Sequence, residues 1–246
     1  TEFDVPQFQA GKRATILFDG AMSHANVYIN GQKVGYWPYG YNSFHFDITK
    51  YLKPGEKNTL AVRLENLPES SRWYPGAGLY RNVHLIITED AYIPVWGTYI
   101  TTPSVNEKFA KVNVRTKVVL PEGADPAKYS VETSVWNPNK QKLTAVRTSL
   151  AQMKYNNNQA EQEFVIQAPS LWSPEMPALY SAETRLYEGD KLKDIYTTPF
   201  GIRSIEIIPD KGFFLNGKRT VFKGVCNHHD LGPLGAAVND AAIRRQ

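Results

Sequence analysis

The sequence predicts a mainly β protein: two β-sandwich units in succession, then a strand, a polar loop and the start of a helix. Three observations carry this. Short segments alternate apolar and polar residues at period two as far as about residue 202. Turn residues such as Asn30-Gly31, Pro54-Gly55 and Pro75-Gly76 punctuate them. No helical apolar stripe interrupts the strands. An aromatic content of 12%, with 14 Tyr and 5 Trp, suits sheets and also surfaces on which rings stack against sugars.

Composition narrows the class. The chain has 246 residues, 42% hydrophobic and 21% charged, which excludes a wholly disordered chain. No apolar run approaches the roughly 20 residues of a membrane-spanning helix. The formal charge of +4 is spread along the chain, so nucleic acid is a poor partner. A single cysteine, Cys226, forbids an intrachain disulfide and otherwise reads as a small core residue.

The first unit, residues 1–90, reads as a sandwich or jelly roll. Ala14–Phe18 is a short apolar strand. Asn26–Ile29 runs into Asn30-Gly31, a strong hairpin signal. Ser43–Ile48 follows. Leu60, Val62 and Leu64 alternate with polar neighbours, and Val83, Leu85 and Ile87 repeat the pattern. The second unit, residues 91–202, has the size of an immunoglobulin-like sandwich. Val112, Val114, Val118 and Leu120 share a face, as do Val131, Thr133 and Val135. Phe164 with Ile166, and Tyr180 through Leu186, supply further strands, the last ending at Glu188-Gly189-Asp190.

From residue 203 the pattern changes. Phe213–Leu215 and Thr220–Phe222 flank Asn216-Gly217, a second hairpin. Val221–Val225 reads as a buried strand leading into Cys226-Asn227-His228-His229-Asp230. A Gly/Pro-rich loop then leads to a nascent helix with Asn239 as its N-cap. Strand, loop and helix form the first βα unit of something larger. A helix left after two turns is marginal alone, so the chain is expected to be cut at this end.

Two stretches carry candidate chemistry. His228, His229 and Asp230 follow an apolar strand; at a barrel mouth their side chains would hydrogen-bond substrate hydroxyls. A structural polar loop explains them equally. A metal pair does not, because adjacent histidines alternate sides in an extended chain and no third ligand follows at zinc-like spacing. Ser70–Arg81 places Arg72 beside Trp73 and Tyr74 in a Gly/Pro-rich loop, suited to gripping and stacking a polar ligand, or to bracing a packed surface. Trp37-Pro38-Tyr39-Gly40-Tyr41 reads as packing, and Trp172 as a core or interface anchor. There is no Gly-x-Ser-x-Gly, no phosphate-binding glycine loop and no carboxylate pair that stands out as an acid/base dyad.

Three ordered sets of motifs together resemble glycoside hydrolase family 2, the β-galactosidase and β-glucuronidase family. Val27–Gly31, Gly40–Phe44 and Arg72–Arg81 resemble its jelly-roll sugar-binding domain. Pro169–Glu175, Pro177–Tyr180 and Phe200–Arg203 resemble the end of its immunoglobulin-like domain. Phe214–Lys218 and Lys223–Gly232 resemble the start of its (β/α)8 TIM barrel. The resemblance implies a partial jelly roll over 1–90, a whole sandwich over 91–202 and a truncated barrel from 203. It also implies a retaining exo-β-glycosidase, most like a bacterial β-galactosidase, whose two catalytic glutamates lie beyond Gln246. His228, Arg72, Trp73 and Asp230 are then expected to contact substrate. Cys226-Asn227-His228-His229 departs from the family's Asn-Arg-His-Glu. Magnesium or sodium is possible by resemblance, although no metal ligand is assignable. A carbohydrate substrate, no membrane span, a homo-oligomeric full-length enzyme and a periplasmic or extracellular location are the remaining expectations. A non-catalytic carbohydrate-binding module is the rival reading, which leaves residues 213–246 unexplained.

Overall fold

Among the described residues seven strands build the first sandwich: β1 (Glu2–Asp4), β2 (Arg13–Phe18), β3 (Ala25–Ile29), β4 (Gln32–Trp37), β5 (Phe44–Asp47), β6 (Lys57–Arg63) and β7 (Val83–Thr88). Strict alternation in β2 and β3 puts Ala14, Ile16 and Phe18, and Ala25, Val27 and Ile29, on one buried face each. The sheets β1-β6-β3-β4 and β5-β2-β7 close over this core. Phe18 stacks on Phe44 at 4.8 Å, and Trp37 stacks on the other side at 5.6 Å. Asn30 and Gly31 turn β3 into β4 with φ of 50° and 78°, the left-handed pair that a type I′ hairpin needs.

The computed structural model describes residues 1–7, 11–69, 76–152, 159–225 and 239–245. Two compact units emerge, Thr1–Thr88 with Val225–Gln246, and Glu89–Gly224. Among the described residues no helix is long and apolar enough to cross a membrane.

The second unit holds β8 (Thr98–Val105), β9 (Phe109–Lys117), β10 (Tyr129–Trp136), β11 (Lys142–Ser149), β12 (Gln159–Gln167), β13 (Tyr180–Glu188) and β14 (Lys191–Phe200). A four-stranded sheet, β11-β10-β13-β14, opposes a three-stranded one, β12-β9-β8, the strand count of an immunoglobulin-like sandwich. Val112, Val114, Val135, Phe164 and Ile166 fill one part of the core, and Val118, Val131, Ala160 and Leu186 another. Buried polar groups are tied in. Thr133 and Thr184 pair across the strands at 3.2 Å. The Gln162 amide donates to the Val131 and Val146 carbonyls and to the Thr148 hydroxyl. The Lys193 side chain is 6% exposed, and its ammonium meets Asp90 at 2.7 Å and Glu188 at 3.5 Å.

A small meander follows: β15 (Ile205–Ile208), β16 (Gly212–Leu215) and β17 (Lys218–Arg219). Asn216 and Gly217 form its turn with φ of 52° and 74°. The buried strand expected over Val221–Val225 is not found. That stretch has no regular structure, and Phe222 and Val225 are 75% and 92% exposed. Its apolar residues suit a strand with neighbours on both sides; among the described residues no strand pairs with it. The nascent helix is present as α1 (Asp240–Ile243). The Asn239 carboxamide oxygen accepts from the amides of Ala241 and Ala242 at 3.0 and 3.2 Å, as an N-cap should.

Candidate functional site

Antiparallel pairing brings three connections, β2–β3, β4–β5 and β6–β7, to one end of the first sandwich. Phe18 at the close of β2 faces Phe44 at the start of β5 and Val83 at the start of β7. Ala25 at the start of β3 faces Trp37 at the close of β4, while Asn26 faces Arg63 at the close of β6. The segments 19–24, 38–43, 64–69 and 76–82 therefore gather there.

Hydrogen bonds sew these segments together. Met22 and Gly78 exchange backbone bonds at 3.0 and 3.1 Å. The Asp19 amide donates to the Asn82 carbonyl at 3.0 Å, and the Ser43 hydroxyl donates to the Asp19 carbonyl at 3.1 Å. The His24 amide reaches the Pro38 carbonyl at 3.1 Å. Ser23 and Glu65 are tied by a backbone bond of 2.9 Å and a hydroxyl bond of 2.8 Å.

Tyr80 is the pin. Its hydroxyl donates to the Gly40 carbonyl at 2.8 Å, and burial pushes the phenol above its ordinary pKa. Two glycines make room. A Cβ on Gly20 would sit 2.6 Å from the Tyr80 oxygen, and one on Gly40 would fall on the Met22 sulfur. The loop Pro38–Tyr41 is thus clamped through its backbone while its rings face out. Tyr39 is 53% exposed and packs edge-on against Tyr41 at 5.6 Å. Tyr36 is 46% exposed, and its hydroxyl meets His24 Nδ1 at 2.7 Å. The reading of residues 37–41 as packing is right for Trp37, which stacks on Phe44, and wrong for Tyr39.

The four side chains expected to contact substrate, Arg72, Trp73, His228 and Asp230, lie outside the described residues. Glu65 and Gly78, described residues on either side of Arg72 and Trp73 in sequence, are bonded to Ser23 and Met22. Among the described residues no group of three His, Cys, Asp or Glu is placed to hold a metal.

In the second unit Trp172 is an anchor. The Arg203 guanidinium lies 5.0 Å from its ring centre. Its amide donates to the Ile202 carbonyl at 2.8 Å, and its carbonyl accepts from the Asn216 amide nitrogen at 3.0 Å. The Asn216 oxygen accepts in turn from the Ser204 amide. Trp172, Arg203, Ile205, Phe213 and Phe222 border an open groove of about 570 Å³.

Three carboxyls of the second unit are committed to structural contacts. Asp90 and Glu188 share Lys193, whose hydrogen bond holds Asp90 below its usual range, opposite to what a general acid needs. Burial raises Asp194, yet its oxygens accept from the Ile93 and Ile195 amides at 2.8 and 2.9 Å and so fix backbone.

Comparison with known proteins gives this architecture a context. A β-galactosidase of Bacteroides ovatus is 42% identical over 99% of this chain and 29% of its own length. A putative β-glucuronidase of Formosa agariphila is 37% identical over 98% of this chain and 22% of its own. A β-glucuronidase of Bacteroides fragilis is 34% identical over 96% and 36%. The chain therefore spans about a third or less of each of these relatives. Among solved structures, a glycosyl hydrolase family 2 member from Bacteroides cellulosilyticus superimposes with a TM-score of 0.88 at 34% identity, over 100% of this chain and 32% of that one. A Bacteroides uniformis β-glucuronidase, solved covalently bound to a cyclophellitol-6-carboxylate aziridine, gives 0.84 at 29% identity, over 100% and 31%. The family description "Glycosyl hydrolases family 2, sugar binding domain" matches residues 1–89, and "Glycosyl hydrolases family 2" matches residues 92–203. Two successive sandwiches, each matched in order by a part of the same family, make this chain a member of glycosyl hydrolases family 2.

Proposed function

We propose that this chain is the N-terminal portion of a retaining exo-β-glycosidase of β-galactosidase type. The observation that carries the choice of sugar is the 42% identity to the Bacteroides ovatus β-galactosidase across nearly the whole chain. The described carboxyls agree with a division of labour in which the chemistry sits elsewhere, since the candidates near one another are committed to Lys193. In a retaining enzyme one carboxylic acid protonates the leaving oxygen and a carboxylate about 5–5.5 Å away forms the glycosyl-enzyme. We assign both to barrel strands that follow Gln246. The apolar stretch Val221–Val225, irregular and exposed here, is assigned to become the first strand of that barrel once the downstream strands pair with it. His228 and Asp230, at its mouth, together with Arg72 and Trp73, contact the terminal sugar. No metal is assigned a role. A periplasmic or extracellular location is part of the same proposal.

A β-glucuronidase is the second reading, favoured by the Formosa agariphila and Bacteroides fragilis relatives at 37% and 34% identity. Parallel assays of the full-length enzyme on p-nitrophenyl β-galactoside and β-glucuronide decide between them. Preferential galactoside turnover is expected; turnover of the glucuronide alone overturns the choice of sugar. The 246-residue chain by itself is expected to hydrolyse neither, and measurable turnover by it would place catalytic carboxyls within this sequence.

A further inference from the structure

The meander β15–β17 carries an apolar face that it does not cover. Cross-strand pairing sets Ile205 opposite Leu215 and Ile207 opposite Phe213, so these four share one face. Leu215 is buried, but Ile205 is 54% exposed and Ile207 77%. Phe222 stacks on Phe213 at 4.7 Å and extends the apolar surface, itself mostly open. Ile205, Phe213 and Phe222 border the groove that Trp172 and Arg203 also line. Strands of four, four and two residues have no side chains to spare for closing it. Single exposed apolar residues are ordinary on a protein surface; a contiguous face beside a groove marks a seat for another segment.

The occupant follows from position, length and size. The family match to the second sandwich ends at residue 203, so the meander lies past it. The alignment with the Bacteroides ovatus relative nevertheless takes in 99% of this chain, the meander included, and only 29% of the relative. Successive elements of a chain usually pack beside one another, and β15–β17 is the last sheet among the described residues. A second copy is the weaker candidate. Ile205, Ile207, Phe213, Val221 and Phe222 fall far short of the roughly 20–30 residues a side that a stable interface between free proteins uses. A segment of the same polypeptide needs fewer contacts, because tethering spares it most of the entropy of association.

We propose that the face formed by Ile205, Ile207, Phe213 and Phe222 is the seat on which the polypeptide following Gln246 packs. The meander then couples the second sandwich to the rest of the protein. The proposal rests on the reading of this chain as an N-terminal portion, and takes nothing from the choice of reaction or sugar.

The test is hydroxyl-radical footprinting of the full-length protein, read by mass spectrometry, with each rate referred to the same residue in the urea-unfolded protein. Going from 77% exposed to the level of a buried core residue, Ile207 is expected to oxidise about tenfold more slowly, with Ile205 and Phe213 protected alongside it. Free oxidation of Ile207 in the dilute full-length protein overturns the seat. Protection that appears only at concentrations where the mass doubles in light scattering also overturns it, in favour of a second copy. Ile207→Asp is expected to return Ile205 and Phe213 to fast oxidation, whereas Ile207→Leu keeps them protected; unchanged protection in Ile207→Asp counts against the seat. Should that variant fail to fold, the wild-type labelling decides alone. The mass of the natural protein keeps the two readings apart. A protein that ends at Gln246 sinks the N-terminal-portion reading and the seat with it, and a longer one with Ile207 freely labelled sinks the seat alone.

Discussion

The two Asn-Gly hairpins invite comparison. Asn30-Gly31 and Asn216-Gly217 adopt the same left-handed pair of conformations to within a few degrees. The first joins strands of five and six residues inside a sandwich, with Val27 and Ile29 fully buried. The second leads into a two-residue strand and then into Val221–Val225, which lies open to solvent. The turn is a local event, decided by backbone preference. The strand after it is not, because a strand persists only where a neighbour pairs its backbone and a facing sheet covers its side chains.

Three pairs of substitutions, taken in order of decreasing effect, probe this contrast in the 246-residue chain. Ile29→Ala removes fully buried carbons and is expected to cost about 2–5 kcal/mol in urea unfolding. Val225→Ala is expected to stay within about 0.5 kcal/mol. Equal losses would break the contrast. A large loss from Val225→Ala only when the downstream sequence is present would sharpen it, by showing which segment buries that strand.

The asparagines come next. The Asn30 side chain donates to the Tyr51 carbonyl and to Asn58, and accepts from the Thr59 amide. Asn58 is itself 1% exposed and bonded to the backbone of Lys53 and Glu56. Asn30→Gly keeps the turn but loses these tethers, so a cost of about 1–3 kcal/mol is expected from unfolding curves. Asn216→Gly, which loses one bond to Trp172 and one from Ser204, should cost less. The reverse order would mean that the second turn is the better integrated of the two.

The smallest effect is the most diagnostic. Gly31→Ala and Gly217→Ala place a Cβ where nothing lies within 4 Å, so only the left-handed backbone resists. Each is expected to cost about 1 kcal/mol, with thermal midpoints shifted alike. Unequal shifts would show that the surroundings, and not the turn alone, set the conformation.

Legibility in the sequence followed the same division. Strands with one buried face were plain, because β2, β3, β9, β12 and β13 alternate buried and open positions and β10 does so over its first half, β12 even at a sheet edge. The strands β8, β11 and β14 left no such trace. They lie at sheet edges, and β14 buries Phe200 alone among its ten residues. Val83 and Leu85 read as the inner face of a half-buried strand, yet both are 36% exposed, since β7 is also an edge. The misreading at Val221–Val225 has the opposite cause: an apolar run reports what a segment would bury, not whether a partner is there. At the loop end, Trp37 and Tyr39 look alike in sequence. Register separates them, because Trp37 still belongs to β4 opposite Ala25, whereas Tyr39 is past the last pair. The Tyr80 pin was legible only as a Tyr in a Gly-rich stretch; its partner Gly40 is 40 residues away.

Gly40 has a practical consequence for anyone wishing to retune this surface. The loop cannot be randomised as a block, because a side chain at Gly40 displaces Met22, whose backbone exchange with Gly78 joins two of the connections gathered there. A library that fixes Gly20, Gly40 and Tyr80 and varies positions 36, 39 and 41 would keep the scaffold constant while changing what it presents. The three fixed positions are the chassis, and the three varied ones are the exchangeable face.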